Sequence, residues 1–194
     1  MSADAVGVLS LRRAQVIVRR WLGRSLRFIG WRADSTSHRE KAISALGTTV
    51  SLLLVYWTTH FGFGAEGALW VTGSMGASAI LVFAMPHGTL SQPWPVIGGH
   101  VLSATFAVAC IQWLPSNALM AALVVGGSVL VMMYARCLHP PGGATAMIVV
   151  LGGPTVADAG YGFVLYPILL DCVIIVCAAM CFNSLFESRR YPLA

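Results

Sequence analysis

The sequence predicts an all-α integral membrane protein with about six hydrophobic segments, arranged as two three-segment repeats of opposite orientation. Three observations support this fold class. Hydrophobic residues make up 57% of the 194 residues, charged residues make up 10%, and the mean hydropathy is +0.78, which is too apolar for a soluble domain of this length. The charged residues between positions 42 and 186 are Glu66, Arg136, Asp158 and Asp171. Two of the apolar segments contain similar glycine-rich motifs, "GASAILV" and "GATAMIV".

Residues 1–41 are basic and include "VRRWLGRSLRFIGWR", in which arginines alternate loosely with large apolar side chains. This pattern predicts an amphipathic helix lying on an anionic membrane surface. A cleaved targeting peptide is the alternative, but a secretory signal requires a long apolar stretch that this segment lacks.

The distribution of Lys and Arg predicts the orientation of the chain. Basic residues cluster in residues 1–41 and in a short tail, residues 188–194. Because Lys and Arg near membrane segments are retained in the cytoplasm, we expect both termini there, an even number of crossings and a location in a bacterial cytoplasmic membrane. The net charge of +5 indicates contact with lipid headgroups, and no nucleic-acid partner is expected.

The predicted transmembrane domain covers residues 42–187, with repeats at about 42–114 and 117–186. Its apolar segments lie at residues 43–61, 67–85, 97–114, 117–137, 141–152 and 163–186. Four have the roughly 17 to 25 residues that a membrane-spanning helix needs, whereas the fifth would reach only about 18 Å. The second is interrupted by Gly73 and Gly76. We therefore expect short or broken helices starting near Gly73 and Pro140.

These short segments either cross the membrane or re-enter from one side. Six crossings would place Arg136 at the cytoplasmic end of the fourth segment, whereas four crossings with two re-entrant loops would place it outside. The positive-inside rule favours six.

The stretch "RCLHPPGGATAM" predicts a helix start with anion-binding character. Proline suits the first turn of a helix, and the residue before a proline is extended. Gly142 and Gly143 leave no side chain over the free N–H groups, which carry the positive end of the helix dipole. Thr145 adds a hydroxyl. In the first repeat, Gly73 to Ser78 offers equivalent groups.

Two such helix starts would converge near the membrane midplane if the repeats are inverted, and together they would suit a small monovalent anion. His139 and His100 would donate hydrogen bonds to the anion or carry a proton, or they are structural side chains bonded to backbone carbonyls. Close helix packing is the alternative role for the small residues, and helix initiation for the prolines. The candidate substrate-binding residues are His139, Pro140, Pro141, Gly142, Gly143, Thr145, Gly73, Ser74, Gly76, Ser78, His100 and Arg136.

Arg136 and Asp171 are the charged residues of the apolar segments. Arg136 reaches the lipid headgroups or pairs with an acid, for which Asp171 is the candidate by depth. Asp171 is expected to be paired or to face a cavity, and it is a candidate coupling residue.

No cofactor and no enzymatic activity are expected. The five cysteines lie in apolar segments without metal-ligand spacing and are interpreted as small buried hydrophobes. No nucleotide-binding motif is present in the sequence, which argues against ATP-driven transport by this chain alone. The competing functions are a membrane redox or metal-binding subunit that uses histidines, and a structural or sensory membrane module. The many small residues suggest a homo-oligomer.

The motifs also carry a family resemblance. The stretches "GSMGASAILVFAMPHGTLSQPWPVIGGHVLSA", "LHPPGGATAM", "YPILL", "CFNSLF" and "RRYP" resemble the HPP family of small integral membrane proteins over about residues 41–192. The resemblance implies a transporter-like protein, often described with four transmembrane helices, with plant plastid and cyanobacterial members linked to nitrite transport. Asp171 departs from the family pattern, in which a small or apolar residue is expected; if Asp171 faces the pathway, ion selectivity or coupling would differ from that of the nitrite-linked members.

Overall fold

The computed structural model describes Trp21, Phe28, Gly30 and residues 35–193, and in this part of the chain the regular structure is helical, without β-strands. The chain divides into two compact units, Met1–Ser37 and His38–Ala194. The predicted amphipathic helix lies almost wholly outside the described residues.

The helices are α1 His38–Ala84, α2 Pro93–Ile111, α3 Ala118–Tyr134, α4 Pro140–Leu151, α5 Gly153–Ala159, α6 Tyr161–Phe163 and α7 Leu170–Asn183, with a 3-10 turn at Thr89–Ser91 and a π-helical stretch at Val164–Leu169.

Helix α1 is a hairpin of two antiparallel arms, residues 38–63 and 65–84. Gly64 interrupts the helical backbone with φ 68° and ψ −175°, a conformation that glycine adopts without steric cost. Gly47 of the first arm packs against the ring of Phe83 near the end of the second, and a Cβ at Gly76 would lie 3.9 Å from Leu52. An unbroken 47-residue helix would be about 70 Å long and would keep these pairs apart.

The position of this break corrects one prediction. The second arm begins just after Gly64, and Gly73 lies inside it, so no helix starts near Gly73. Glycine disrupts a helix where the backbone takes a positive φ, as at Gly64, whereas Gly73 and Gly76 keep helical angles and only reduce the bulk of the helix surface.

The second predicted break is confirmed, because α4 begins at Pro140. Helix α4 is 12 residues long and bends by 101° into α5, with Gly153 at φ 72°. Within the described residues, three helices are long and apolar enough to cross a membrane: His38–Ala84, Pro93–Ile111 and Tyr161–Asn183; the bent α4–α5 pair gives a fourth if it is one span. The all-α membrane fold is therefore confirmed, whereas the six-segment repeat stays a prediction.

Side-chain contacts sort the helix ends into two groups. Arg189 pairs with Glu40 at 2.9 Å between Nη1 and Oε2, and donates to the carbonyl oxygen of Phe83. Tyr191 donates to the carbonyl oxygen of Ser91. Residues 38–44, 83–92 and 183–193 therefore share one end of the bundle, called the tail end below.

The opposite end is called the hairpin end and holds residues 61–67 and 151–163. The ring of Phe63, next to the break in α1, packs edge-on against Phe163 with 5.5 Å between centroids. The bend between α4 and α5 lines a cavity together with the same part of α1. The second arm of α1 and helix α4 therefore each run between the two ends.

Candidate functional site

Buried polar side chains from α1, α2 and α4 form one continuous chain, called the polar chain below. Ser78 Oγ lies 2.6 Å from Nε2 of His100 and 2.8 Å from Nε2 of His139. Nδ1 of His100 lies 2.6 Å from the hydroxyl of Thr145, which is 3.2 Å from that of Ser74. Each of these side chains is at most 2% exposed. Five of the predicted binding residues therefore do come together.

The backbone carbonyl of Leu90 sets the direction of these hydrogen bonds. It lies 2.7 Å from Nδ1 of His139, and since a carbonyl only accepts, this nitrogen carries a proton. In the neutral ring Nε2 then accepts from Ser78, and Ser78 in turn accepts from the Nε2–H of His100. Nδ1 of His100 accepts from Thr145. The single proton of Thr145 is assigned to this 2.6 Å contact and not to its longer 3.2 Å contact with Ser74, so with both rings neutral the donors from Thr145 to Leu90 all point the same way and each ring nitrogen has a partner.

Two glycines bring the histidines together. His139 is the N-cap of α4, with the extended backbone that a following proline requires. A Cβ at Gly142 would lie 2.6 Å from the carbonyl oxygen of Gly99, and a Cβ at Gly99 would lie 2.5 Å from Cβ of His139. Since side chains do not fit at such distances, only glycine lets the start of α4 pack on α2 at this point. The sequence "GGH" before His100 was the available signal.

The same packing corrects the predicted anion site at the start of α4. Pro140 and Pro141 have no N–H, and the N–H of Gly142 donates to the carbonyl oxygen of His139 at 2.8 Å. The space over Gly142 is filled by α2, and a Cβ at Gly143 would meet Val125 at 3.4 Å. The first turn is therefore closed by protein and does not expose bare amides. Two converging helix starts are also absent from the described residues, because Gly73 to Ser78 lies inside the second arm of α1.

The remaining predicted residues lie outside the polar chain. A Cβ at Gly73 would meet no atom within 4 Å, and the neighbour of Gly76 is Leu52, so neither glycine is required by tight packing. Pro140 is exposed and Pro141 is buried, as the two initiating residues of α4. Arg136 follows α3 with φ 55° and an exposed side chain.

Asp171 forms a second buried polar site, between α7 and the first arm of α1. Its carboxylate oxygens lie 2.8 Å from the hydroxyl of Thr58 and 2.7 Å from that of Thr59. The hydroxyl of Tyr166 donates to the carbonyl of Thr58. Asp171 is thus paired as predicted, but with hydroxyls in place of Arg136. The two threonines, which are adjacent in the sequence "TTH", were not predicted as site residues.

A cavity of about 400 Å³ opens at the hairpin end. Its walls come from the second arm of α1, from α4 and from the bend into α5, and include Glu66, Trp70, Val71, Ile148 and Val156. Val71 and Ile148 lie one helical turn from Ser74 and Thr145 respectively. The Ser74 hydroxyl donates to the carbonyl of Val71 at 3.1 Å. The cavity therefore ends within one turn of the polar chain.

Metal-binding geometry is absent from the described part of the chain, where no group of three or more His, Cys, Asp or Glu residues is placed to hold an ion. The cysteines differ in environment. Cys137 and Cys172 are buried as predicted and Cys110 is intermediate, whereas Cys177 and Cys181 are exposed on the surface of α7. The buried interpretation was therefore wrong for the last two.

Comparison with known proteins gives one family. The model of the HPP transmembrane region matches residues 33–192. A transmembrane protein of Dictyostelium discoideum is 35% identical over 146 residues, which cover 73% of this chain and 51% of that protein. A second transmembrane protein of the same organism is 30% identical over 154 residues, 77% of this chain and 48% of that protein. The chain thus spans about half the length of these relatives. No solved structure matches it. A match over 160 of the 194 residues, with the "HPP" tripeptide at the start of α4, shows that the protein belongs to the HPP transmembrane family.

Proposed function

We propose that the protein transports a small inorganic anion across the membrane, with nitrite as the first substrate to test. The observation that carries the proposal is the polar chain, because five buried hydroxyl and imidazole groups are costly inside an apolar bundle. Such groups in membrane helices commonly mark an ion or substrate path. Hydroxyl and imidazole donors suit the oxygen atoms of a small anion. We propose a transporter and not an enzyme.

The donor pattern favours uptake of a proton together with the anion. Every donor of the neutral polar chain is already used, so an anion enters only by displacing an internal hydrogen bond. Ser78 bonds to both rings, so its hydrogen bonds are the ones that the anion is proposed to replace. An anion between the rings accepts from His100, but it faces the proton-free Nε2 of His139. One proton on His139 turns this nitrogen into a donor, and anion plus proton enter with no net charge.

Asp171 is proposed as a second coupling residue. Its carboxylate is fully buried and is bonded to two threonine hydroxyls, which stabilise a charge without neutralising it. A carboxylate in this position is suited to gain and lose a proton during transport. The tail end is proposed to face the cytoplasm, as the basic residues at both ends of the chain suggest.

The proposal is tested in proteoliposomes that contain the purified protein and are loaded in turn with nitrite, nitrate, formate or chloride. We expect nitrite flux that Ser78→Ala reduces strongly. The matched control is Ser128→Ala, since Ser128 is equally buried but bonds only within its own helix, to the carbonyl of Val124. No flux of any anion above protein-free liposomes, or equal flux in both variants, would contradict the proposal.

A further inference from the structure

We propose that the cavity at the hairpin end is the outer vestibule of the path, and that Val71 and Ile148 form the barrier between this vestibule and the polar chain. The inference rests on the proposed function and deepens it, since it names the residues that control access to the same site. Three observations support it: the cavity lies between α1 and α4, apolar side chains form its inner wall, and the polar chain begins behind that wall.

The cavity reaches inward from the hairpin end between α1 and α4, the two helices that contribute Ser74 and Thr145. Val71 and Ile148 belong to its wall, yet their side chains are only 1% and 8% exposed. Phe163 and Val156 of the same wall are as deeply buried, but Val71 and Ile148 stand one helical turn from Ser74 and Thr145, so they are the wall residues that separate the cavity from the polar chain. The rim is different in character, because the side chain of Glu66 is exposed.

Behind this wall the polar groups begin at once. Ser74 lies one turn after Val71 on the second arm of α1. Its hydroxyl donates to the backbone carbonyl of Val71. Ile148 stands one turn after Thr145 on α4. Each pair is three residues apart, so the apolar layer is about 4.5 Å thick along the helix. An apolar constriction of this kind excludes hydrated ions when its side chains meet, and admits them when the side chains separate.

On the far side, the line of groups continues towards the tail end. From Ser74 and Thr145 it passes through His100, Ser78 and His139 to the carbonyl of Leu90, which lies at the tail end. The vestibule, the two-residue barrier and the polar chain therefore follow one another along the second arm of α1. This order assigns the barrier to the hairpin side of the substrate site.

Cysteine labelling tests the barrier without depending on transport. In the chain with its five native cysteines replaced by alanine, Thr155→Cys places a thiol in the cavity and Ser74→Cys places one just behind the barrier. A membrane-impermeant methanethiosulfonate reagent is applied to intact cells from the side that the hairpin end faces. We expect labelling at position 155 and almost none at position 74. Adding Val71→Ala with Ile148→Ala is expected to raise labelling at position 74 several-fold.

The matched control makes the same two kinds of substitution, Val→Ala and Ile→Ala, at buried positions away from the cavity. Val82→Ala with Ile175→Ala shortens two fully buried side chains that do not line the cavity, and it should leave labelling at position 74 unchanged. The barrier is overturned if position 74 is labelled before the barrier residues are shortened, or if shortening them has no more effect than the control pair. Labelling that follows the expected pattern in a protein without anion flux would support the barrier and reject the proposed substrate.

Discussion

The imidazole rings of His100 and His139 lie 5.1 Å apart between centroids, and both contact the hydroxyl of Ser78. The two histidines come from different helices, and Gly99 and Gly142 allow those helices to approach closely enough for this contact. Because the Leu90 carbonyl fixes the proton on His139, the pair forms a directional unit and not two independent side chains. The proposals above follow from this arrangement.

Removing the hydroxyl of Ser78 should destabilise the protein. Ser78→Ala leaves the Nε2–H of His100 and the Nε2 of His139 without a partner, and an unsatisfied buried polar group costs about 1–3 kcal/mol. We expect a lower thermal unfolding midpoint in detergent than for Ser128→Ala, which removes one bond within a single helix. Equal midpoints for the two variants would show that Ser78 does not connect the rings.

The contact between α2 and α4 should tolerate no side chain at Gly142. The Cβ of Gly142→Ala would lie 2.6 Å from the backbone oxygen of Gly99, which cannot move without shifting α2. We expect poor expression or loss of the folded monodisperse protein in size-exclusion chromatography. Gly73→Ala is the control, since its Cβ meets no atom within 4 Å and alanine favours a helix by about 1 kcal/mol over glycine. Normal behaviour of Gly142→Ala would contradict the packing described.

Arg189 should matter for stability far more than its neighbour Arg190. Its buried guanidinium pairs with Glu40 and donates to the Phe83 carbonyl, near the negative end of the second arm of α1. Arg189→Ala is expected to lower the free energy of unfolding by roughly 3 kcal/mol, the low end for a broken buried pair, because the Glu40 side chain is 34% exposed. The exposed Arg190 gives the matched variant Arg190→Ala, and denaturant titration of both compares them. Similar losses in both would show that the contacts of Arg189 with Glu40 and Phe83 do not stabilise the fold.

Asp171→Asn should weaken the coupling of nitrite flux to protons without abolishing the flux. The amide keeps the size of the side chain and a group able to accept from Thr58 or Thr59, but it cannot exchange a proton. We expect folded protein whose nitrite flux responds less to an imposed pH gradient than wild type. Asp158→Asn, at an exposed position, serves as the control. An unchanged response to the gradient in Asp171→Asn would remove this residue from the coupling proposal.

The parts of the fold that depend on local chemistry were predictable from the sequence. Composition predicts the all-α membrane class. Pro140 and Pro141 determine where α4 starts, because their rings impose a helical φ and keep the preceding residue, His139, in an extended conformation. The break at Gly64 was not predictable, since a chain with 20 glycines does not show which one takes a positive φ.

Pairings between distant residues were only partly predictable. Both histidines and Ser78 were identified as polar groups in apolar segments, but their direct contact depends on the closeness of α2 and α4. The sequence favoured bare amides at Gly142, and the structure instead places a neighbouring backbone there. Thr58 and Thr59 were missed because a threonine in a helix usually bonds to its own backbone, and only tertiary contact with Asp171 distinguishes them.

The most direct test of the central claim is nitrite uptake into proteoliposomes under an imposed pH gradient, measured for wild type and for His139→Gln. If nitrite enters with one proton on His139, acidification of the nitrite-containing side should accelerate uptake by wild type, and the proton should be seen to enter with the anion. In His139→Gln the side chain cannot take that proton, so the acceleration should disappear even where residual flux remains. Nitrite uptake that is insensitive to the gradient in wild type, or equally accelerated in both proteins, would contradict the account.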